Sequence, residues 1–354
     1  MNARIWLSSI SLLAFVSCTK NPSGPGDEPL PANPPQAVYV LNEGQFGDPF
    51  GARLTVYDVK ADSAYQDVIE HANGGIHLGN TGDDMVFHNS KAYILMSGSE
   101  DLFVISLANN TILQSATYPG NAPHDLVIDS ARNRIYVTRL YKSSLYVLDL
   151  NLLSVVDSIF VGSNPQGMLI VGDRLFVCNS GYGYERTVSV VNLPTNSIAA
   201  TLQLSDGPTN ATLAPDGTVW VVCTGNAFSA PATFGRIYVF NPGTLAKVDS
   251  VSFSENLWGA MRFDNTGYAY VIGTTSGRYD GGPVHRIQLA TKSVTLNYIG
   301  GTYYCIAYDA VANEFYAGDA KQFTSLGEVK IFSDGSLRKS FSAKYGPAVI
   351  QFKY

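Results

Sequence analysis

Residues 134–150 read RIYVTRLYKSSLYVLDL, two runs of alternating apolar residues separated by a short polar turn. Tyr136-Val137 lies at the centre of the first run, Leu145 opens the second, and this alternation predicts a β-hairpin. The pattern occurs seven times along the chain, and its aromatic-apolar pairs begin at Tyr39, Tyr93, Tyr136, Phe176, Trp220, Tyr270 and Tyr316. Spacings of roughly 40 to 50 residues are typical of four-stranded propeller blades. We therefore predict an all-β fold, a seven-bladed β-propeller.

The two ends of the repeat complete one another. The first unit begins at the Tyr39 run without an innermost strand before it, and an extra apolar run, residues 348–352, follows the seventh unit. This C-terminal strand is predicted to close the first blade and remove the free sheet edges that invite aggregation. A linear solenoid is the alternative, but it leaves the matched ends unexplained. We expect the propeller to span residues 37–354, with few helices because no stretch has a sustained helical period.

The N-terminal segment has the features of an export signal. Arg4 precedes an apolar stretch, residues 5–16, that is too short to span a bilayer. Cys18 follows Ser17 at the end of this stretch and resembles the lipidated cysteine of bacterial lipoproteins. The resemblance implies a signal peptide at residues 1–17, a lipid anchor on Cys18 and an outer-membrane lipoprotein on the cell surface or the periplasmic face. An ordinary secretory signal with a chance cysteine is the alternative.

Composition limits the classes of partner and of fold. Residues 18–36 are rich in proline, which favours an extended tether between the anchor and the propeller. The net charge of -6, without a basic run, argues against a nucleic-acid partner. Three further cysteines, Cys178, Cys223 and Cys305, are not at zinc spacing and are predicted to be buried thiols. A disulfide between Cys178 and Cys223 is left open.

The loops of the two faces differ. In a propeller blade, the loop between the second and third strands and the connection to the next blade lie on one face, here called the upper face. Its long loops are residues 43–52, 180–186, 225–235 and 274–282, whereas the lower-face turns are short. Because binding residues concentrate on such loops, we predict a ligand site on the upper face. The candidate ligand-binding residues are Phe46, Phe50, His77, His124, Tyr182, Tyr184, Phe228, Trp258, Tyr279, Tyr303 and Tyr304.

Among these candidates, Trp258 and Tyr303 are the strongest, since the inter-blade loops that hold them are expected to approach the central axis. About half of the loop aromatics are expected to pack only within their own loops. The aromatic residues of the seven repeated pairs are instead expected to pack between blades.

Catalysis is the less favoured interpretation. The upper face offers a set of carboxylates and a histidine that could form a calcium cage, as in propeller lactonases and lyases: Glu43, Asp83, Asp84, His124, Asp125 and Asp319. Each of them is more often a residue that caps its own loop. Three tryptophans are too few for the docking repeats of quinoprotein propellers. We predict a non-enzymatic protein without a cofactor; a metal-assisted hydrolase or lyase and a purely structural interaction module remain alternatives.

The repeat resembles a known family. Residues 134–138, RIYVT, residues 145–149, LYVLD, and residues 161–167, VGSNPQG, are similar to the YVTN/YncE-like seven-bladed propellers. Residues 39–44, YVLNEG, and 78–85, LGNTGDDM, look like the surface lipoprotein propellers of Bacteroidota that accompany TonB-dependent transporters. Some of those proteins capture cobalamin. The resemblance implies capture of a corrinoid or another bulky ligand above a TonB-dependent outer-membrane transporter.

Overall fold

The computed structural model describes residues 33–45, 47–274 and 281–354. In these ranges 28 strands form seven four-stranded antiparallel sheets. The predicted signal peptide, Cys18 and most of the predicted tether lie outside the described residues. No helix in the described part is both long and apolar enough to span a bilayer.

Blades 2 to 7 each use four consecutive strands, which run outward from the central channel. These strands are β4 (Gly82–His88), β5 (Lys91–Met96), β6 (Asp101–Ser106) and β7 (Ile112–Thr117) in blade 2; β8 (Pro123–Asp129), β9 (Arg134–Arg139), β10 (Ser144–Asp149) and β11 (Val155–Phe160) in blade 3; β12 (Pro165–Val171), β13 (Arg174–Asn179), β14 (Thr187–Asn192) and β15 (Ser197–Gln203) in blade 4; β16 (Pro208–Leu213), β17 (Val219–Cys223), β18 (Arg236–Phe240) and β19 (Lys247–Ser252) in blade 5; β20 (Leu257–Phe263), β21 (Tyr268–Gly273), β22 (Gly282–Gln288) and β23 (Val294–Tyr303) in blade 6; β24 (Cys305–Asp309), β25 (Glu314–Asp319), β26 (Glu328–Ser333) and β27 (Ser336–Ser342) in blade 7.

Blade 1 joins the two ends of the chain. It contains β1 (Ala37–Asn42), β2 (Arg53–Asp58), β3 (Ser63–Tyr65) and the C-terminal β28 (Pro347–Lys353). β28 pairs antiparallel with β1, with Gln351 opposite Tyr39 and Ile350 opposite Val40. Each innermost strand contacts the innermost strands of both neighbouring blades, so the ring is closed. The predicted fold and the predicted closing strand are both confirmed.

The repeated aromatic residues pack between blades, as the sequence predicts. Trp220 of β17 is fully buried and meets Phe263 of the next blade edge-on, with ring centroids 5.4 Å apart. Tyr39 meets Phe87 of blade 2 in the same way at 5.3 Å. Because adjacent sheets share these rings, the hydrophobic core of the described residues consists of seven clusters, each of which lies between two neighbouring blades. The three cysteines of the propeller are free and buried, which confirms the prediction of core thiols.

The lower-face turns are tight, and several of them use asparagine in the left-handed region. Asn133, Asn196 and Asn313 have φ of 55°, 50° and 55°. Asparagine tolerates this conformation better than most residues, because its side chain bonds to the nearby backbone. Helices are short in the described residues: α1 (Val68–Ala72) and three 3₁₀ turns at Ser130–Arg132, Gly181–Gly183 and Lys321–Phe323. Most residues outside the strands therefore lie in the upper-face loops, which surround the channel opening, rather than in the lower-face turns.

Candidate functional site

A cavity of about 460 Å³ occupies the upper end of the central channel, and we call it the central cavity. Every blade contributes to it at the beginning of its innermost strand. These residues are Ala348 and Val349 of blade 1, Asp83 and Asp84 of blade 2, His124 and Asp125 of blade 3, Gln166 and Gly167 of blade 4, Thr209 and Asn210 of blade 5, Trp258 and Gly259 of blade 6, and Tyr304 and Cys305 of blade 7. The upper-face loops add Glu43, Leu140, Ser180, Tyr182 and Thr274.

Blades 1 to 3 form an acidic wall of this cavity. Glu43 follows β1, where the chain leaves the sheet for the long loop of residues 43–52. Burial and, to a smaller extent, the nearby carboxylate of Asp83 together raise the pKa of Glu43 to about 7. Both causes act in the same direction, because removal from water and a like charge each disfavour the ionised carboxylate. Glu43 is therefore poised to change charge near neutral pH.

His124 partly neutralises the acidic wall. Its Nδ1 lies 3.5 Å from Oδ1 of Asp83. Burial lowers the pKa of His124, but Asp83, Asp125 and Asp84 outweigh burial and raise the pKa to about 9. The imidazole is therefore cationic at neutral pH and shares the wall with the carboxylates.

Asp84 and Asp125 connect successive blades. Oδ2 of Asp84 accepts the backbone N–H of Leu126 at 3.0 Å, and Oδ2 of Asp125 accepts that of Met168 at 2.8 Å. Burial raises the pKa of Asp84 to about 6 and that of Asp125 well above its usual value. Each of these carboxylates accepts a backbone N–H group of the next blade, so the role of Asp84 and Asp125 is largely to hold blades 2, 3 and 4 in register around the cavity.

We expect Asp125→Ala to lower the free energy of unfolding by about 1–3 kcal/mol relative to Asp125→Asn, because only the alanine variant leaves the Met168 N–H without an acceptor. Urea unfolding at neutral pH measures the difference. The asparagine variant is the matched control, since it removes the charge and keeps an acceptor. Equal stabilities for the two variants would contradict the inter-blade role of this carboxylate.

An aromatic wall lies on the side of blades 6 and 7. Nε1 of Trp258 donates to the carbonyl oxygen of Tyr304 at 2.9 Å, and the two rings lie 5.1 Å apart. The hydroxyl of Tyr304 donates to Oε2 of Glu43 at 2.9 Å. Gly259 has a φ of 111°, and a Cβ at this position would lie 2.7 Å from Oγ1 of Thr209, so glycine is required next to Trp258. Tyr304 thus connects the aromatic wall to the acidic wall.

The structure places four of the predicted ligand-binding residues at the central cavity: His124, Tyr182, Trp258 and Tyr304. The expectation that Tyr303 approaches the axis is wrong, because its side chain is only 2% exposed and packs edge-on against Phe332 of blade 7. Its hydroxyl donates to the carbonyl oxygen of Gly300. The neighbouring Tyr304 occupies the position that was expected for Tyr303.

The other predicted residues that the structure describes do not line the cavity. His77 contacts Glu70 at 3.2 Å, and its ring lies 5.4 Å from that of Phe50. Tyr184 and Phe228 are 66% and 64% exposed on upper-face loops. Phe46 and Tyr279 fall outside the described residues, as does Cys18.

The suggested calcium cage is not formed. Asp319 does not line the cavity with the other five candidates, and it pairs instead with Lys321 and Lys330 at 2.7 and 3.0 Å. Among residues 33–45, 47–274 and 281–354, no three His, Cys, Asp or Glu side chains are arranged to hold a metal ion. Arg262 also lines the cavity and was not among the predicted residues. Its signal in the sequence is an arginine at a position of the innermost strand where the other six blades have an uncharged residue.

Comparisons with known proteins agree on the fold. The family described as "Domain of unknown function (DUF5074)" matches residues 36–352. A quinoprotein alcohol dehydrogenase-like protein from Bacteroides thetaiotaomicron superposes with a TM-score of 0.68 at 16% identity, covering 90% of this chain and 78% of that one. A protein from Lactobacillus plantarum gives 0.67 at 14%, with coverages of 90% and 99%. Hydrazine synthase from Kuenenia stuttgartiensis gives 0.60 at 16%, with coverages of 73% and 85%.

No curated protein sequence matches this chain. At identities of 14–16%, the structural likeness shows a shared propeller fold. Function must therefore be argued from the site.

Proposed function

The chain belongs to the DUF5074 family, and we propose that this member is a lipid-anchored protein of the cell envelope that captures an organic ligand in its central cavity. The observation that carries the proposal is the meeting of an aromatic wall and an acidic wall in one cavity to which all seven blades contribute. Its volume of about 460 Å³ falls within the usual range for small-molecule sites. Trp258 and Tyr304 supply apolar contact, and Glu43 and Asp83 supply hydrogen-bond acceptors.

Exposed aromatic residues around the opening support capture of a ligand larger than the cavity itself. Phe50, Tyr184 and Phe228 are all more than half exposed, and all three are on upper-face loops. A corrinoid, the ligand implied by the sequence resemblance, would lie across this opening. Its amide side chains would donate hydrogen bonds to Glu43 and Asp83 in the cavity.

The proposed anchor and partner follow from the N-terminal sequence. A lipid on Cys18 and an extended segment of residues 18–36 would hold the propeller on the order of 50 Å from a membrane surface. This arrangement suits delivery of the captured ligand to a TonB-dependent outer-membrane transporter. Membrane fractionation tests the anchor: Cys18→Ala should move the protein from the membrane to the soluble fraction, and an unchanged distribution would contradict lipidation at this residue.

Isothermal titration calorimetry of the full-length protein with cyanocobalamin tests the corrinoid. We expect measurable heat and saturation at tens of micromolar protein, about the concentration at which a micromolar dissociation constant is resolved. No heat under these conditions would overturn the corrinoid as the ligand. Capture of a smaller ligand in the cavity would then be tested with L-phenylalanine and its singly charged analogues.

A hydrolase or lyase is the second candidate, and Glu43 is the observation that favours it. A carboxyl group with a pKa of about 7, beside a cationic His124, can accept or donate a proton near neutral pH. Turnover of a lactone panel by the wild-type protein, lost in Glu43→Gln, would support catalysis. Turnover that Glu43→Gln leaves unchanged, or no turnover by the wild type, would overturn it.

A further inference from the structure

Arg262 is exceptional among the equivalent positions of the seven blades. It lies on β20 opposite Tyr270, the aromatic residue of the repeated pair. The strand registers place an uncharged residue opposite the same aromatic in every other blade: Gln351, Val86, Val127, Leu169, Thr212 and Ala307. The propeller therefore forms without a charge at this position, and the guanidinium needs another explanation.

The charge of Arg262 is poorly compensated by the protein. Its Nη1 donates to the carbonyl oxygen of Met261 at 2.8 Å. Among the described residues, no carboxylate forms an ion pair with it within 4.0 Å. Burial lowers the pKa of Arg262, which is the expected effect of a guanidinium removed from water without a partner.

Asp84 is the carboxylate whose charge acts on Arg262. However, the backbone N–H groups of Leu126 and Met85 already bond to the two oxygens of Asp84. Arg262 lines the central cavity, and a guanidinium has five N–H donors in a fixed planar fork. The guanidinium N–H groups that do not bond to Met261 suit a planar anion, above all a carboxylate bound through two parallel hydrogen bonds.

The lining of the same cavity also contains carboxyl groups that Arg262 does not pair with. Tyr304 occupies Oε2 of Glu43, so Oε1 is left to accept a donor, and Asp83 lies beside it in the lining. A ligand with only a negative charge would meet the carboxyl groups of Glu43 and Asp83, whose charge His124 compensates only in part. A ligand with only a positive charge would be repelled by Arg262. A ligand that bears both charges has a partner both for Arg262 and for the carboxyl groups.

On this basis we propose that the central cavity binds a zwitterionic ligand of the α-amino-acid class, with its carboxylate on Arg262, its ammonium group at Glu43 and Asp83, and its apolar part against Trp258. The proposal rests on capture in the central cavity, as proposed above, and names the chemical class of the captured group.

Three probes with the same phenyl ring test the proposal: L-phenylalanine, which carries both charges; 2-phenylethylamine, which carries the positive charge alone; and 3-phenylpropionate, which carries the negative charge alone. Calorimetric titration of the full-length wild-type protein with each probe, up to about 10 mM, resolves weak binding. We expect phenylalanine to bind at least about tenfold more tightly than either analogue, which corresponds to about 1.4 kcal/mol.

The Arg262→Gln variant tests whether Arg262 binds the carboxylate of the ligand. The variant should lose at least about tenfold in affinity for phenylalanine and leave the affinity for 2-phenylethylamine unchanged or increased. Arg174→Gln is the matched control, because the Arg174 side chain bonds to the carbonyl oxygens of Pro242 and Gly243 on the lower face. It should bind all three probes as the wild type does. The melting temperature of each variant checks that the fold is retained.

The possible outcomes separate this proposal from capture itself. Phenylalanine binding no more tightly than 2-phenylethylamine, or equally to the wild type and Arg262→Gln, would overturn the zwitterion while supporting capture in the cavity. If none of the three probes binds by about 10 mM, the amino-acid class is wrong. If cyanocobalamin binds in that case, capture in the cavity is still supported. If cyanocobalamin does not bind either, the result counts against both proposals.

Discussion

A chain that ends at residue 346 should lose the cooperative unfolding of the propeller. β28 supplies the innermost strand of blade 1, and its Ile350 is buried in one hydrophobic cluster with Val38 and Val40 of β1. Without β28, one side of β1 has no strand to pair with, and the contacts of β28 with β4 of blade 2 and with β24 and β25 of blade 7 are lost. Because an open ring exposes core and sheet edges, we expect aggregation or a molten state instead of a folded monomer. Thermal unfolding followed by circular dichroism in the near and far ultraviolet measures this loss.

Two controls make the truncation specific. Removal of Tyr354 alone leaves β28 intact and should preserve a cooperative transition. A synthetic peptide of residues 345–354 added to the truncated chain should restore the near-ultraviolet signal, as strand addition does in other sheets. A truncated chain that melts like the wild type would contradict closure of the ring by the C-terminal strand.

Stability should fall as the pH rises from about 5 to about 9, and Glu43→Gln should remove part of this slope. Glu43 has a folded-state pKa of about 7 against an ordinary value of 4.5, so between these values the folded state binds more protons than the unfolded state. Its contribution is thus favourable at low pH and unfavourable above pH 7. His124 acts in the same direction from pH 6.5 to about 9, because its raised pKa means that the stabilising proton is lost as the pH rises.

The size of the effect follows from the shift. A rise in the pKa of Glu43 from 4.5 to about 7 corresponds to about 3 kcal/mol of folding free energy. Glu43→Gln should therefore be more stable than the wild type by up to that amount at pH 9 and similar to it at pH 5. Urea unfolding at the two pH values gives the difference. Asp216→Asn, in an exposed lower-face turn, is the charge-matched control and should keep the slope of the wild type. Parallel pH profiles for Glu43→Gln and the wild type would contradict a buried, destabilised carboxylate.

The fold was predictable because each blade repeats its local pattern. An aromatic residue beside a small apolar one marks the second strand, and pairing between neighbouring strands in the chain follows from short turns. Ring closure followed from the missing strand before Tyr39 and the extra strand after the seventh unit. These features depend on the chain's own periodicity and need no knowledge of long-range contacts.

The site was predictable only in part. His124, Trp258 and Tyr304 were identified because the inter-blade connections must approach the axis. Tyr303 was misplaced because β23 is ten residues long and shifts register twice against β22, so the side of the sheet that a residue faces near its end does not follow from alternation. Arg262 was missed, since sequence alone does not tell whether a residue of an innermost strand faces the channel or a neighbouring blade.

The central claim, capture in the central cavity, is tested most directly by calorimetric titration of Trp258→Ala and Phe160→Ala beside the wild type, with cyanocobalamin and with L-phenylalanine. Trp258 lines the cavity, whereas Phe160 is 80% exposed on the outermost strand of blade 3. We predict that Trp258→Ala loses at least about tenfold in affinity for the probe that the wild type binds, and that Phe160→Ala loses none. Equal affinity of the wild type and Trp258→Ala, or binding of neither probe to the wild type, would contradict the claim.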